Sequence, residues 1–181
     1  GAPDEVALVA DLVAEAHQGQ RWQATVDLAS GVLGAIEDHA DCRWLRASAL
    51  VNLGQADAAV IDLEAYLERT GPTTRDLDVD VLDLLARLGL ERGDLEMAVE
   101  RARAGLERAP AHVHLTETGF RALLALGRVE RAAGIIDGFL SSGPGLECLR
   151  LAHLLPQIAE AGQVARALES TRALAALLVE F

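Results

Sequence analysis

Apolar residues along this chain recur three or four positions apart in short runs, and a glycine or proline separates each run from the next. Before Gly54, for example, the run includes Ala47, Leu50 and Val51, and the same spacing resumes at Ala59. A period near 3.6 residues predicts amphipathic helices with one face turned to a core. The pattern therefore predicts an all-α protein.

The helical runs are in phase with a repeated glycine and alanine. Five glycines follow one another at intervals of 35, 39, 34 and 35 residues: Gly19, Gly54, Gly93, Gly127 and Gly162. Five residues after each glycine stands an alanine: Ala24, Ala59, Ala98, Ala132 and Ala167. Glycine tolerates the left-handed backbone that ends a helix in a tight turn, and alanine lets the next helix pack closely. The repeated unit is thus a helical hairpin.

Prolines mark the ends of three units, since Pro72, Pro110 and Pro144 follow their glycines by 17 or 18 residues. We predict helix pairs at 4–18 with 21–37, 40–53 with 56–69, 75–91 with 94–108, 111–126 with 128–141, and 145–161 with 163–180. The repeats then span roughly 4–37, 40–70, 75–109, 111–142 and 145–181 of a single domain, 1–181. A longer connection is expected at 70–75, and Pro156 should kink the helix that contains it.

This pattern resembles the tetratricopeptide repeat family over essentially the whole chain. The second unit matches best, through Ala47, Ala49, Leu50, Gly54, Ala59 and Leu63. The third unit adds Leu85, Ala86, Gly93, Ala98 and Pro110. Arg46 and Asp11 depart from the pattern, because leucine is usual there. The resemblance implies a right-handed superhelical solenoid of helical hairpins that binds a peptide or helix of a partner protein in a concave groove.

The resemblance also implies which residues line that groove, because the first helix of each pair faces it. The groove is expected to be apolar near the N-terminus and charged in the middle, with a lining that includes Val9, Val13, His17, Trp44, Ser48, Asn52, Arg87, His114, Glu117 and Arg121. Trp44 is either an exposed anchor for a ligand or part of the core between repeats. Trp22 is expected to pack between helices.

Arg87 and Arg121 occupy equivalent positions in adjacent repeats, so we expect them to be neighbours in space. Two guanidinium groups side by side suit recognition of a carboxylate. Asp83 and Glu117 each precede one of these arginines by four residues, a spacing that forms ion pairs on a helix surface. Both interpretations, ligand binding and intramolecular pairing, are open at this point.

Val6, Val9, Val13 and Ala16 give the first helix a second apolar stripe beside the one through Leu8 and Leu12. A terminal helix of a repeat array normally presents a polar outer face. The second stripe suggests a covered surface, by a partner, by a homodimer through the apolar terminal helices, or by sequence upstream. Scattered surface apolar residues are the alternative.

Charge excludes two classes of partner. The chain has 28 acidic and 16 basic residues, all of the latter arginine, for a formal charge of -12, and no segment concentrates the basic ones. Nucleic acid and anionic membrane surfaces are therefore not expected as partners, and a strongly acidic protein would be repelled. No apolar run is long enough to span a membrane, which favours a cytoplasmic location. Cys42 and Cys148 are interpreted as buried structural thiols.

No nucleophile motif, phosphate loop or cofactor signature occurs, so we predict a protein that is not an enzyme and needs no cofactor. His112, His114 and Glu117 have a metal-like spacing, but residues two apart on a helix point away from each other, so no metal is expected. The alternative function is the regulatory or oligomerisation portion of a larger enzyme or transcription regulator.

Overall fold

The structure is a computed structural model and describes residues 3–70, 76–142, 145–162 and 164–179. Their contacts divide the chain into two compact units, Gly1–Thr73 and Thr74–Phe181. All regular structure in the described residues is helical, which confirms the all-α prediction. The predicted single domain stays a prediction.

The first unit contains four helices, which lie at α1 (Pro3–Gln18), α2 (Trp22–Ala35), α3 (Ala40–Asn52) and α4 (Ala56–Thr70). Helices adjacent in sequence pack together, and α1 also contacts α3. Between α1, α2 and α3 lies a core cluster that includes Val13, Ala29, Val32, Leu33 and Cys42. The extra residues of the predicted longer connection, 71–75, lie outside the described residues.

The second unit contains α5 (Asp76–Arg92), α6 (Leu95–Arg108), α7 (Val113–Ala125), α8 (Val129–Ser141), a 3-10 segment (Gly145–Leu154), α9 (Leu155–Glu160) and α10 (Val164–Val179). As in the first unit, alternate helices also touch, α5 with α7 and α8 with α10. Phe120, Leu123, Ile136, Phe139 and Ile158 are among the members of its main core cluster. Stacking of hairpins, rather than one central core, buries the apolar faces.

The turns inside the hairpins follow the predicted chemistry, with one exception. Gly54, Gly93, Gly127 and Gly162 have φ between 71° and 91°. In the first hairpin Gln20, not Gly19, takes the left-handed conformation, with φ 53°. The turn after α1 therefore forms one residue further from its glycine than the other turns do. The prediction that Gly19 takes the left-handed conformation is wrong.

The repeat-register alanines lie where α-helices approach closely. Ala59, Ala98 and Ala132 are fully buried, and Ala167 is buried, whereas Ala24 in the first hairpin is only half-buried. Across the α5–α6 turn, a Cβ added at Gly89 would lie 3.0 Å from the backbone nitrogen of Ala98. Because this distance is at the limit of real contacts, the helices could not pack as they do with larger residues.

Polar contacts between successive hairpins recur at the length of one repeat. Side-chain bonds join residues 30 to 33 positions apart in both units: His17 to Ser48, Arg69 to Glu37 and Asp38, Arg108 to Asp78, Arg128 to Glu96, and Ser170 to Asp137. A repeat array in which each unit contacts its neighbours produces this spacing.

Near Pro156 the first helix of the last hairpin is interrupted rather than kinked. The chain is a 3-10 helix from Gly145 to Leu154, and a short α-helix begins at Leu155 with Pro156 in its first turn. Proline lacks an N–H and cannot sit in a helix interior, but it fits the first turn, where the N–H has no partner within the helix. One predicted helix is therefore two elements.

Candidate partner-binding surfaces

The two arginines predicted to orient a ligand lie on α5 and α7, which pack against each other. Arg87 Nε is 3.3 Å from Asp83 Oδ2, and Arg121 Nη2 is 2.7 Å from Glu117 Oε1. The predicted intrahelical pairs are thus present. Nevertheless the arginine side chains remain 51% and 52% exposed, and each guanidinium has more N–H donors than its one carboxylate partner accepts.

A histidine extends this set, and the sequence pattern did not indicate it. His153 Nε2 lies 3.7 Å from Glu117 Oε1, and its side chain is half exposed. His153 belongs to the 3-10 segment, where the residue-to-residue rotation differs from that of an α-helix. Counting back from Gly162 in α-helical register therefore selects Ala152 instead. We call Asp83, Arg87, Glu117, Arg121 and His153 the arginine face of the second unit.

Asp83 is the most buried member of the arginine face. Its side chain is 13% exposed. Its Oδ1 atom is buried and has no hydrogen-bond partner among the described residues. An unsatisfied buried acceptor costs roughly 1–3 kcal/mol, so a donor reaching this oxygen would be stabilised.

The other predicted residue of this unit, His114, is exposed on α7 and forms no part of the arginine face. Its neighbour His112 caps α7, because His112 Nδ1 accepts a hydrogen bond from the Leu115 backbone N–H at 3.2 Å. The two imidazole rings stand edge to face with centroids 6.0 Å apart. Within the described part of the chain, no three His, Cys, Asp or Glu side chains gather in a set able to hold a metal.

In the first unit, the predicted apolar end of the groove is core. Val13 is fully buried, and Val9 is half-buried against the cluster around it. The prediction that Val13 lines a surface is wrong. Its side chain points into the core between α1, α2 and α3, whereas the position counted back from Gly19 had placed it on the groove. The exposed apolar side chains of α1 are Leu8 and Leu12 instead.

His17, Ser48 and Trp22 form a polar and aromatic junction of α1, α2 and α3. His17 Nε2 and Ser48 Oγ are hydrogen-bonded at 3.0 Å. The His17 ring meets the Trp22 ring edge to face, with centroids 5.3 Å apart, as expected for a tryptophan that packs between helices. Burial lowers the pKa of His17 from its ordinary value. His17 and Ser48 are thus hydrogen-bonded to each other, and a partner protein would have to replace that bond to use either side chain.

Trp44 lies in the first half of α3 and Asn52 at its end. Trp44 is half-buried, so the structure favours neither of its two interpretations. Asn52 is exposed and donates a hydrogen bond from Nδ2 to the Ser48 carbonyl of its own helix at 2.9 Å. Near the start of α3, Cys42 is buried, and desolvation raises the pKa of its thiol to about 11. Such a thiol stays protonated and unreactive at neutral pH.

Comparison with known proteins shows the fold but no sequence relative. No protein-family model and no curated protein sequence matches the chain. Among solved structures, the MamA protein has a TM-score of 0.77 at 12% identity, over 93% of this chain and 88% of that one. YrrB, described as a TPR protein with an unusual peptide-binding site, has a TM-score of 0.72 at 12% identity, over 93% and 84%.

A third similar structure is that of the nearly identical TPR-like repeats of a putative Podospora anserina kinesin light chain. Its TM-score is 0.69 at 19% identity, and the match covers 99% of this chain and 97% of that one. The chain has a tetratricopeptide-like helical-repeat fold. At these identities the likeness establishes the fold alone.

Arg46 stands where the tetratricopeptide pattern usually has leucine, and its side chain is held by polar groups of the neighbouring helices. Arg46 donates from Nε and Nη2 to the two oxygens of Asp62 at 2.7 and 2.5 Å, and from Nη1 to Ser30 Oγ at 3.1 Å. Asp62 is buried and is also 3.5 Å from Arg43 Nη1. The Asp62 hydrogen bond raises the pKa of Arg46. The repeat pattern marks Arg46 only as a departure and does not indicate its partner on α4.

Three described cavities each lie between the second helix of one hairpin and the second helix of the next. One of about 270 Å³ lies between α2 and α4, one of about 280 Å³ between α6 and α8, and one of about 440 Å³ between α8 and α10. The repeat pattern gives no indication of these cavities. No described helix is both long and apolar enough to cross a membrane.

Proposed function

We propose that this chain is a protein-interaction scaffold whose arginine face binds an exposed segment of a partner protein. The observation that carries the proposal is the pair of half-exposed guanidinium groups of Arg87 and Arg121 on adjacent first helices. Each already has one carboxylate partner, so the free protein keeps the side chains in a defined place. Less side-chain entropy is then lost when a ligand binds.

The spacing of the arginines suggests the form of the ligand. Packed helices lie about 8–10 Å apart, and an extended chain advances about 3.3 Å per residue. A segment that crosses α5 and α7 would therefore present acceptors to Arg87 and Arg121 from residues about three positions apart. Side-chain carboxylates or backbone carbonyls both suit a guanidinium fork.

The carboxylates of the arginine face add a requirement of the opposite sign. Asp83 and Glu117 suit donors such as a cationic side chain or a backbone N–H, and Asp83 Oδ1 is the acceptor that gains most. A ligand with mixed charge meets both requirements, whereas a strongly acidic partner would be repelled by the net charge of -12. The peptide-binding site ascribed to the structurally similar YrrB supports a peptide as the ligand.

The test is affinity capture from a lysate of the source organism, with wild type beside Arg87→Glu/Arg121→Glu. A control, Arg21→Glu/Arg172→Glu, changes the net charge equally at exposed positions outside the arginine face. Helical circular dichroism must be the same for all three proteins. A protein recovered by wild type and by the control, but not by the arginine-face variant, supports the proposal. Equal recovery by all three would remove the arginine face from the binding site.

A further inference from the structure

The first unit exposes an apolar ridge on α1. Leu8 is 62% exposed and Leu12 is 42% exposed, one helical turn apart on the same side. Asp11 and Glu15 are exposed beside them. Large apolar side chains in water at two adjacent positions are unfavourable unless another surface covers them. The ridge is therefore apolar along its crest and acidic along its flank.

The second unit has an apolar groove between α6 and α8. Its volume is about 280 Å³, and Leu106, Ile135 and Phe139 line it together with Pro110 and Gly138. Arg103 and Glu107 form its polar rim. The groove is slightly smaller than typical small-molecule sites, and it suits one or two apolar side chains.

Gly138 leaves the α8 wall of the groove open. The residue lies within α8, where glycine is about 1 kcal/mol less favourable than alanine. A Cβ at this position would meet nothing within 4 Å, so packing inside the unit gives no reason for a glycine. An absent side chain at a groove wall lets a second chain approach closely.

The rim of this groove carries Arg103 beside Glu107, whereas the charged residues that line the described cavity between α8 and α10 are both carboxylates. These two, Asp137 and Glu169, would repel the acidic ridge. In the cavity between α2 and α4, Arg46 is already held by both oxygens of Asp62. At the α6–α8 groove, Arg103 is 68% exposed and only loosely paired, 4.0 Å from Glu107.

We infer that the α1 ridge of one molecule binds in the α6–α8 groove of a second copy of this chain. Leu8 and Leu12 enter the groove over Gly138, and Arg103 meets Asp11, because Glu15 is already paired with Arg21. This local attraction and the burial of apolar surface act against the repulsion between two chains of net charge -12, a repulsion that salt screens. The contact uses two different surfaces, so each copy keeps one free ridge and one free groove. Association of this kind is head to tail and either closes a ring or adds further copies. It is independent of the arginine face.

Sedimentation velocity of the full chain over a concentration series tests this inference. Wild type should show a sedimentation coefficient that rises with concentration. Leu8→Asp/Leu12→Asp removes the ridge and Gly138→Glu blocks the groove, and each should weaken self-association by about tenfold or more, as loss of a central anchor does. The controls place the same charges at other exposed sites, Ile36→Asp/Leu149→Asp and Gly31→Glu, and should associate like wild type.

Mixing the two defective variants is the decisive experiment. The ridge variant still has a groove and the groove variant still has a ridge, so their mixture should form a one-to-one complex and nothing larger. If the ridge variant alone fails to fold, Gly138→Glu with wild type still tests the groove. Wild type that is monomeric at every concentration would overturn the inference. So would a groove variant that associates normally, or controls that lose association equally.

Discussion

The buried carboxylate of Asp62 joins α4 to α3 through two arginines. Asp62 is 3% exposed and accepts hydrogen bonds from Arg46 and Arg43, both on α3. Replacing it with alanine leaves two guanidinium groups without their carboxylate. Among the described residues, Arg43 then keeps its bond to the Glu37 carbonyl at 2.7 Å, and Arg46 keeps its bond to Ser30.

Breaking a buried ion pair by removing one partner costs about 3–5 kcal/mol. The Arg46 side chain is 23% exposed and can regain water, whereas that of Arg43 is 9% exposed and cannot. We therefore expect Asp62→Ala to lower the free energy of unfolding by about 3 kcal/mol, the lower end of that range. Arg46→Leu restores the usual residue and leaves Asp62 with Arg43, so its cost should be smaller, about 1–2 kcal/mol.

Urea unfolding followed by tryptophan fluorescence measures this loss where it occurs. Trp22 and Trp44 are the two tryptophans of the chain, and both belong to the first unit. Circular dichroism in the same titration follows both units together. Glu68→Ala, at an exposed position of the same helix α4, is the control and should change stability by less than about 0.5 kcal/mol.

A cycle with the double variant separates pairing from packing. If Arg46 and Asp62 act as a pair, Arg46→Leu/Asp62→Ala should cost less than the sum of the single changes. A loss below about 1 kcal/mol for Asp62→Ala, or strictly additive costs, would refute the reasoning, because the pair would then contribute little.

Two further predictions concern titration and the turns. The pKa of His17 is lowered by burial, so its neutral form stabilises the fold; this contribution is complete above pH 6.5 and is lost as the pH falls below that value. Wild type should therefore lose more stability than His17→Gln between pH 7.5 and 5.5 in urea titrations, and parallel curves would contradict this. Gly127 has φ 71°, so Gly127→Ala should lower the free energy of unfolding by about 1–2 kcal/mol. Gln20 has φ 53°, so Gln20→Gly should raise the free energy of unfolding. Thermal unfolding of both variants checks the signs, and a loss in the Gln20 variant would show that its side chain matters more than its backbone.

Local chemistry is why the helical pairs could be predicted from sequence. The spacing of apolar residues sets each helix, and the backbone freedom of glycine sets each turn, and both act within a few residues. Even the exception at Gln20 is local, since the same turn hydrogen bonds form one residue later, from Gln20 N–H to the His17 carbonyl and from Arg21 N–H to the Ala16 carbonyl. A disturbance of the first helix in the last hairpin could also be predicted from sequence, because Pro156 lacks the N–H that a helix interior needs.

Tertiary structure alone decided which polar residues meet. Arg46 and Asp62 are 16 residues apart, and only the packing of α3 on α4 joins them. Val13 faces the core and Leu8 faces solvent because neighbouring helices cover one side of α1, and a periodic pattern with two apolar stripes does not say which side. His153 reaches Glu117 through a 3-10 segment whose rotation α-helical counting does not follow. Sequence determines helices and turns through local forces, whereas pairing across helices depends on distances that only the folded chain sets.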